Sequence, residues 1–327
     1  MSESPQLSPN PAPDPAAGPT APIDQLATPP LRDGLLLALA IAGVSFSGPL
    51  MAATAAPALA IAFWRNAMGA GLTLTLAGLR DRAAMRLVPR RAWLVSMVAG
   101  VALAGHFAAW VPSVTMTSVA SATALVSTQV IFTALIAQLR GQRLPRLAWI
   151  GIAVATASTA LITGADLDST PRALVGDLLA ILGGLMAALY VTFGSSARES
   201  MTNSLYTASC YSTCSTVLLL VCLLGGVQLS GYSANAWVKI VLVTLCAQIL
   251  GHSVINLVLR SISPTVVGLA ILFETPGAAI VAYFWLDQTP PPLAFVGVFG
   301  LLVGLVLVSR ARSVAAPLSE TELELVD

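Results

Sequence analysis

Two residues carry a formal charge deep inside apolar stretches of this chain: Arg65 in "FWRNAMGA" and Glu274 in "ILFETPGA". An ionisable group at the centre of a membrane-spanning helix costs at least ~2.5–3.5 kcal/mol, so each needs a compensating partner or a task. Glu274 is followed by Thr275, Pro276 and Gly277. A proline there removes a backbone donor and frees a carbonyl, the irregularity that transporter helices show at their binding sites. The Glu274 carboxyl group is suited to take up a proton on one side of a membrane and release it on the other, or to pair with an amine. Its bland alternative is an interhelical anchor, protonated or paired with Arg65. Arg65, beside Trp64 and Asn66, is expected to snorkel or to tie helix ends together, with anion recognition as its alternative.

The chain has two histidines, in "AGHFAAW" and "LGHSVIN", 146 positions apart. Around the second, Thr244, Gln248, His252, Asn256 and Arg260 recur at every fourth residue. On an α-helix this spacing drifts about 40° per step, so Gln248, His252 and Asn256 cover about 80° of one face. Such a polar stripe belongs against a water-filled cavity or a neighbouring helix, not lipid. The equivalent residues of the first copy are Ala102, His106 and Trp110, a small and aromatic face. His106 therefore reads as a histidine in a structural hydrogen bond, and His252 stands open between structure and function. Tyr206 in "YTASCYSTC", together with Ser127, Thr128 and Gln129, adds hydroxyl and amide groups that either line a cavity or glue helices.

The elements that must position these groups follow from composition. Of 327 residues 56% are hydrophobic and 9% charged, against about 25% charged in a soluble domain. Apolar runs of membrane-spanning length lie at roughly 34–54, 58–79, 92–112, 117–138, 146–164, 173–195, 205–228, 236–257, 264–285 and 292–309. Each is near 20 residues and lacks the alternation of a membrane barrel. The expected fold is an all-α polytopic membrane protein with ten transmembrane helices, its surroundings the lipid bilayer. Residues 1–32, rich in proline and serine, are expected to be disordered, and 311–327, ending "SETELELVD", to form an acidic tail. Only Arg32 precedes the first apolar run, so the start does not read as a signal peptide. Cys210 and Cys214 share a helix face but lack a third ligand nearby; no metal and no cofactor is expected.

Cations orient the chain. With ten spans, thirteen arginines, including five in "RDRAAMRLVPRR", fall on one side, and only Arg172 and Lys239 on the other. This places the protein in the cytoplasmic membrane with both termini inside. The basic tracts are explained by topology and imply no nucleic acid.

The lag between the histidines recurs. "QRLPRLAWIGI" from Gln142 and "QTPPPLAFVGV" from Gln288 share it, with Gly105/Gly251 and Thr128/Glu274 at the same separation. The amino halves match more loosely, "GLLLALA" at Gly34 against "DLLAILG" at Asp177. The chain thus divides into repeats at 33–165 and 173–310. A duplicated unit with five crossings inserts its second copy upside down, giving two inverted five-helix repeats, the arrangement of secondary transporters with a midplane site.

The stretches "HFAAWVPSVTMTSVASATALVSTQVIFTAL" and "LGHSVINLVLRSISPTVVGLAILFETPGAAIVAYFWL" resemble spans three to four and eight to nine of the EamA family in the drug/metabolite transporter superfamily. Arg65 fits an arginine common in that family's second span. The resemblance covers about 33–310 and implies ten helices in two inverted halves and export or exchange of a small metabolite, such as an amino acid or related compound. The chain departs from the family in Gly141-Gln142 and Asp287-Gln288, where Gly-Glu is usual, in Val130 for a proline, and in Glu274-Thr275-Pro276 for Glu-Pro. The coupling ion, with the proton as candidate, is not transferred by the likeness. Two rival functions stay open. "GVSFSG", Gly43 to Gly48, offers serines for an intramembrane enzyme, without a Gly-x-Ser-x-Gly or H-E-x-x-H signature; a passive facilitator would need a filter-like loop, and none is visible.

Overall fold

A computed structural model of the chain describes residues 30–117, 122, 125–142, 144–163, 170–286 and 293–311. The proline-rich start, the acidic end, Asp166, Asp168 and Asp287-Gln288 lie outside the described residues. Everything regular within them is helical.

The first half holds α1 (Leu31–Ser45), α2 (Ser47–Ala52), α3 (Ala58–Arg80), the short α4 (Arg82–Met85), α5 (Arg90–Met116), α6 (Gln129–Leu139) and α7 (Arg146–Thr163). The second holds α8 (Pro171–Arg198), α9 (Asn203–Leu224) and α10 (Ala234–Val243). From α10 the chain passes into a π-helix (Thr244–Ser253) and α11 (Val254–Val258), then α12 (Pro264–Ile271), α13 (Glu274–Leu286) and α14 (Leu293–Arg310). Among the described residues, six helical stretches are long and apolar enough to cross a membrane: Leu31–Met51, Arg90–Met116, Pro171–Arg198, Asn203–Leu224, Ala234–Val258 and Pro264–Trp285. Of the remaining expected spans, α3 is diluted by Arg65 and Asn66, the apolar parts of α6, α7 and α14 are shorter, and residues 118–121 and 123–124 of the one at 117–138 lie outside the described residues.

Local chemistry sets the boundaries. Thr170, Thr202, Ser233 and Ser263 each cap a helix by accepting an N–H three residues on at 3.3 Å, and Pro171 and Pro264 follow two of these caps. At the other end, α9 stops at Leu224, short of the expected 228. Gly226 turns left-handed at φ 62°, and the Val227 N–H closes back on the Cys222 carbonyl at 2.8 Å.

The helices pack in pairs that exchange of the two halves maps onto one another. α5 lies against α8, as the π-helix and α11 lie against α1; α3 pairs with α9, α7 with α14 and α6 with α12. Glycines permit the closest approaches. A Cβ on Gly151 would sit 2.8 Å from the Gly304 carbonyl, and one on Gly304 2.7 Å from that of Gly151. Polarity runs outside-in: Leu94, Leu178, Leu220 and Phe299 are exposed, while Arg65, Asn66, Gln248 and Asn256 are buried. That distribution suits a lipid surround.

Candidate functional site

Two helix interruptions frame the site. α12 ends at Ile271, Leu272 and Phe273 turn, and α13 begins at Glu274, with Pro276 in its first turn, where a missing N–H costs little. In the other half, Ser127 and Thr128 turn before α6 begins at Gln129. The interruptions fall at equivalent points of the repeat, and each presents the electropositive start of a half-helix. Between them lies a cavity open at its mouth. Its walls include Glu274 and Thr275, Ser127 and Gln129, His106 and Trp110 of α5, Tyr190 of α8, His252 of the π-helix, and Ser47 of α2.

His106 places Nδ1 3.0 Å from the Gly183 carbonyl and stacks on Trp110 with ring centroids 5.7 Å apart and planes at 13°. The Trp110 Nε1–H is buried without a partner among the described residues. His252 meets the edges of Phe107 and Tyr190 at 5.8 and 6.1 Å. Thus His106 does have the hydrogen bond expected of a structural histidine, while also reaching the cavity wall.

Arg65, Gln248 and Asn256 stand behind the wall rather than on it. Arg65 is fully buried and does not snorkel. Its Nε donates to Gln248 Oε1 at 3.1 Å, its Nη1 to Ser47 Oγ at 3.2 Å, and its guanidinium lies 4.5 Å above the Phe107 ring. Nη2 has no partner among the described residues. Gln248 also donates to Asn66 Oδ1 at 2.9 Å. No ion pair joins Arg65 and Glu274 among the described residues. Asn256 accepts from the Tyr190 hydroxyl at 2.8 Å and donates to that of Tyr211 at 3.4 Å. The expected stripe is therefore split: His252 reaches the cavity, and its two neighbours bind adjacent helices. Thr128 spends its hydroxyl on the Leu125 carbonyl at 2.6 Å. Tyr206 is buried away from the cavity, its oxygen where a Cβ on Gly194 would come within 2.5 Å.

The EamA-like transporter family pattern matches residues 34–164 and again 174–310. The chain belongs to the EamA-like transporter family. A solved crystal structure superposes on it with a TM-score of 0.69 at 14% identity, covering 84% of this chain and 96% of the other; that likeness speaks for the fold alone. No curated protein matches. EamA-like proteins are small-molecule transporters. Among the serines of "GVSFSG", the Ser45 hydroxyl donates to the Ile41 carbonyl at 2.8 Å and Ser47 accepts from Arg65 at 3.2 Å. The sequence reading of this EamA-like chain passed over Tyr190, Ser47 and Thr275 as wall residues, and Tyr211 and Ser253 behind them. Tyr190 had a usable signal, as a lone tyrosine in an apolar run; the serines and Thr275 had none.

Proposed function

We propose that the protein is a secondary transporter moving a small metabolite across the cytoplasmic membrane by alternating access, with ten spans in two inverted five-helix repeats and both termini inside. The observation that carries this reading is the cavity between two equivalent helix interruptions with the Glu274 carboxyl group on its wall. Buried donors without partners, such as Trp110 Nε1, cost about 1–3 kcal/mol each, and a solute oxygen would satisfy them. A carboxyl group beside aromatic rings suits an amphoteric solute such as an amino acid or related compound. Glu274 serves as the proton carrier: its carboxylate takes up a proton from outside and the carboxyl group releases it inside as solute leaves. The test uses proteoliposomes loaded with a total small-molecule extract and given an inward proton gradient. The wild type should release specific solutes faster with the gradient than without. Glu274→Gln should abolish that acceleration while leaving solute counterflow measurable. Equal gradient dependence in Glu274→Gln sinks proton coupling through this residue, and chemical turnover without release sinks transport itself.

A further inference from the structure

The two histidines occupy equivalent positions of the repeat but are held differently. On the α-helical α5, His106 Nδ1 faces the Gly183 carbonyl of α8 at 3.0 Å. A carbonyl oxygen only accepts, so Nδ1 carries the proton and the ring is fixed to the backbone of its neighbour. The second half repeats this helix pairing. A Cβ on Gly105 would meet Met186 of α8, and one on Gly251 would meet Val44 of α1. With Gly34 aligned on Asp177, the counterpart of Gly183 is Ala40, so His252 would be expected on a carbonyl at Ala40 or Ile41. No such bond exists. His252 has no hydrogen bond on either ring nitrogen among the described residues, and the Ile41 carbonyl takes the Ser45 hydroxyl at 2.8 Å.

The difference lies in the backbone. His252 sits inside the π-helix Thr244–Ser253, whereas the equivalent stretch of α5, residues 98–107, is α-helical. A π-turn takes up about one residue more than an α-turn and so re-aims the side chains that follow. Side chains that the first half lacks hold the wider turn. Ser253 Oγ donates to the Gln248 carbonyl five residues back at 3.0 Å. The Tyr211 hydroxyl of α9 lies 3.1 Å from Ser253 Oγ and 3.5 Å from the same carbonyl. Where the second half has Ser253, α5 has Phe107, which has no hydroxyl to bond the carbonyl five residues back. The chain of contacts also reaches the cavity: Tyr211 accepts from Asn256, and Asn256 accepts from Tyr190 on the wall.

We propose that Ser253 and Tyr211 are positioning residues that hold Thr244–Ser253 in the π form, leaving His252 untethered as the imidazole that meets the transported solute while His106 stays fixed to Gly183. The word "solute" rests on the transport reading above; the positioning does not.

Since the chain has two histidines, labelling them with 15N in the full-length protein in phosphatidylethanolamine–phosphatidylglycerol nanodiscs gives two imidazoles, assigned with His106→Gln. His106 should show one fixed Nδ1–H tautomer and His252 interconverting tautomers. Ser253→Ala, or the milder Tyr211→Phe, should move the His252 signals to a single fixed tautomer and leave those of His106 in place. A His252 ring already fixed in the wild type, or unmoved in both variants, overturns the positioning. For the solutes that the wild type releases from extract-loaded proteoliposomes, His252→Asn and Ser253→Ala should raise KM about 3–10-fold, the loss of one hydrogen bond, with kcat little changed. An unchanged KM in His252→Asn overturns the solute contact. If the wild type releases nothing, the transport reading fails and the imidazole spectra still decide the positioning.

Discussion

Arg65 is the bulkiest of the fully buried side chains, and three different groups share its charge: an amide oxygen, a hydroxyl and an aromatic face. A guanidinium reaches all three because its donors fan out in one plane; an ammonium is a single point on a flexible stem. Arg65→Lys should therefore lose at least one charge-assisted bond, about 1.5–3 kcal/mol, and lower the unfolding temperature in detergent, followed by size-exclusion fluorescence. Arg91→Lys on the exposed start of α5 should move it little; equal shifts would show that the Arg65 contacts carry no stability. The sequence singles out Arg65 and Glu274 as groups needing a reason, since charge inside an apolar run is visible in one dimension. Their partners were not visible. Gln248 lies 183 positions from Arg65, and only the pairing of α3 with the second half brings it near. Of the structural roles expected of Arg65, to snorkel or to tie helix ends together, its buried bonds to Ser47 and Gln248 match a tie between helices and not snorkelling: partners inside the bundle offset its burial.

At the scale of elements, apolar runs marked the helices well, because roughly 20 apolar residues have few other uses. The interruption before α13 was legible in Pro276; the matching one before α6 was not, for Val130 stands where a proline would have announced it. The π-helix escaped altogether. A spacing of four through Gln248, His252 and Asn256 reads as one α-helical face, and its division between cavity and neighbours depends on a backbone form that no residue type declares. Packing between equivalent helices gives a sharper expectation. A Cβ on Gly251 would lie 2.4 Å from Cγ1 of Val44, a stiff β-branched side chain, while one on Gly105 would lie 3.1 Å from the flexible Met186. Gly251→Ala must push α1 aside, at about 1–3 kcal/mol, whereas Gly105→Ala asks only for a new methionine rotamer. The order of their thermal midpoints in detergent checks this: Gly251→Ala should fall well below Gly105→Ala, and the reverse order would mean that α1 is not packed as described.

The two halves are also tied at their ends by two contacts, in which Ser261 and Thr115 are equivalent in the repeat while Asp33 and Arg172 are not. Ser261, after α11, donates to Asp33 at the start of α1 at 2.5 Å; Arg172, at the start of α8, donates to the Thr115 carbonyl near the end of α5 at 3.1 Å. Ser261 and Thr115 are 146 positions apart, and α1, α3 and α5 lie in succession between Asp33 and Thr115, so the ties sit at opposite ends of the bundle. Under the proposed alternating access, each tie opposes opening of its own face. Removing either should shift the balance of states by only a few-fold, since exposed hydrogen bonds are worth about 0.5–1.5 kcal/mol, but the shifts should have opposite sense. Thr275→Cys on the cavity wall, in a Cys246→Ser background because the other three cysteines are buried, reports the open face through its rate with a membrane-impermeant maleimide in right-side-out and inverted vesicles. Asp33→Ala should speed labelling from the face that carries Asp33, and Arg172→Ala from the opposite face. Labelling that rises from the same face in both variants would break the equivalence of the two ends, and with it the inverted relation of the halves on which alternating access depends.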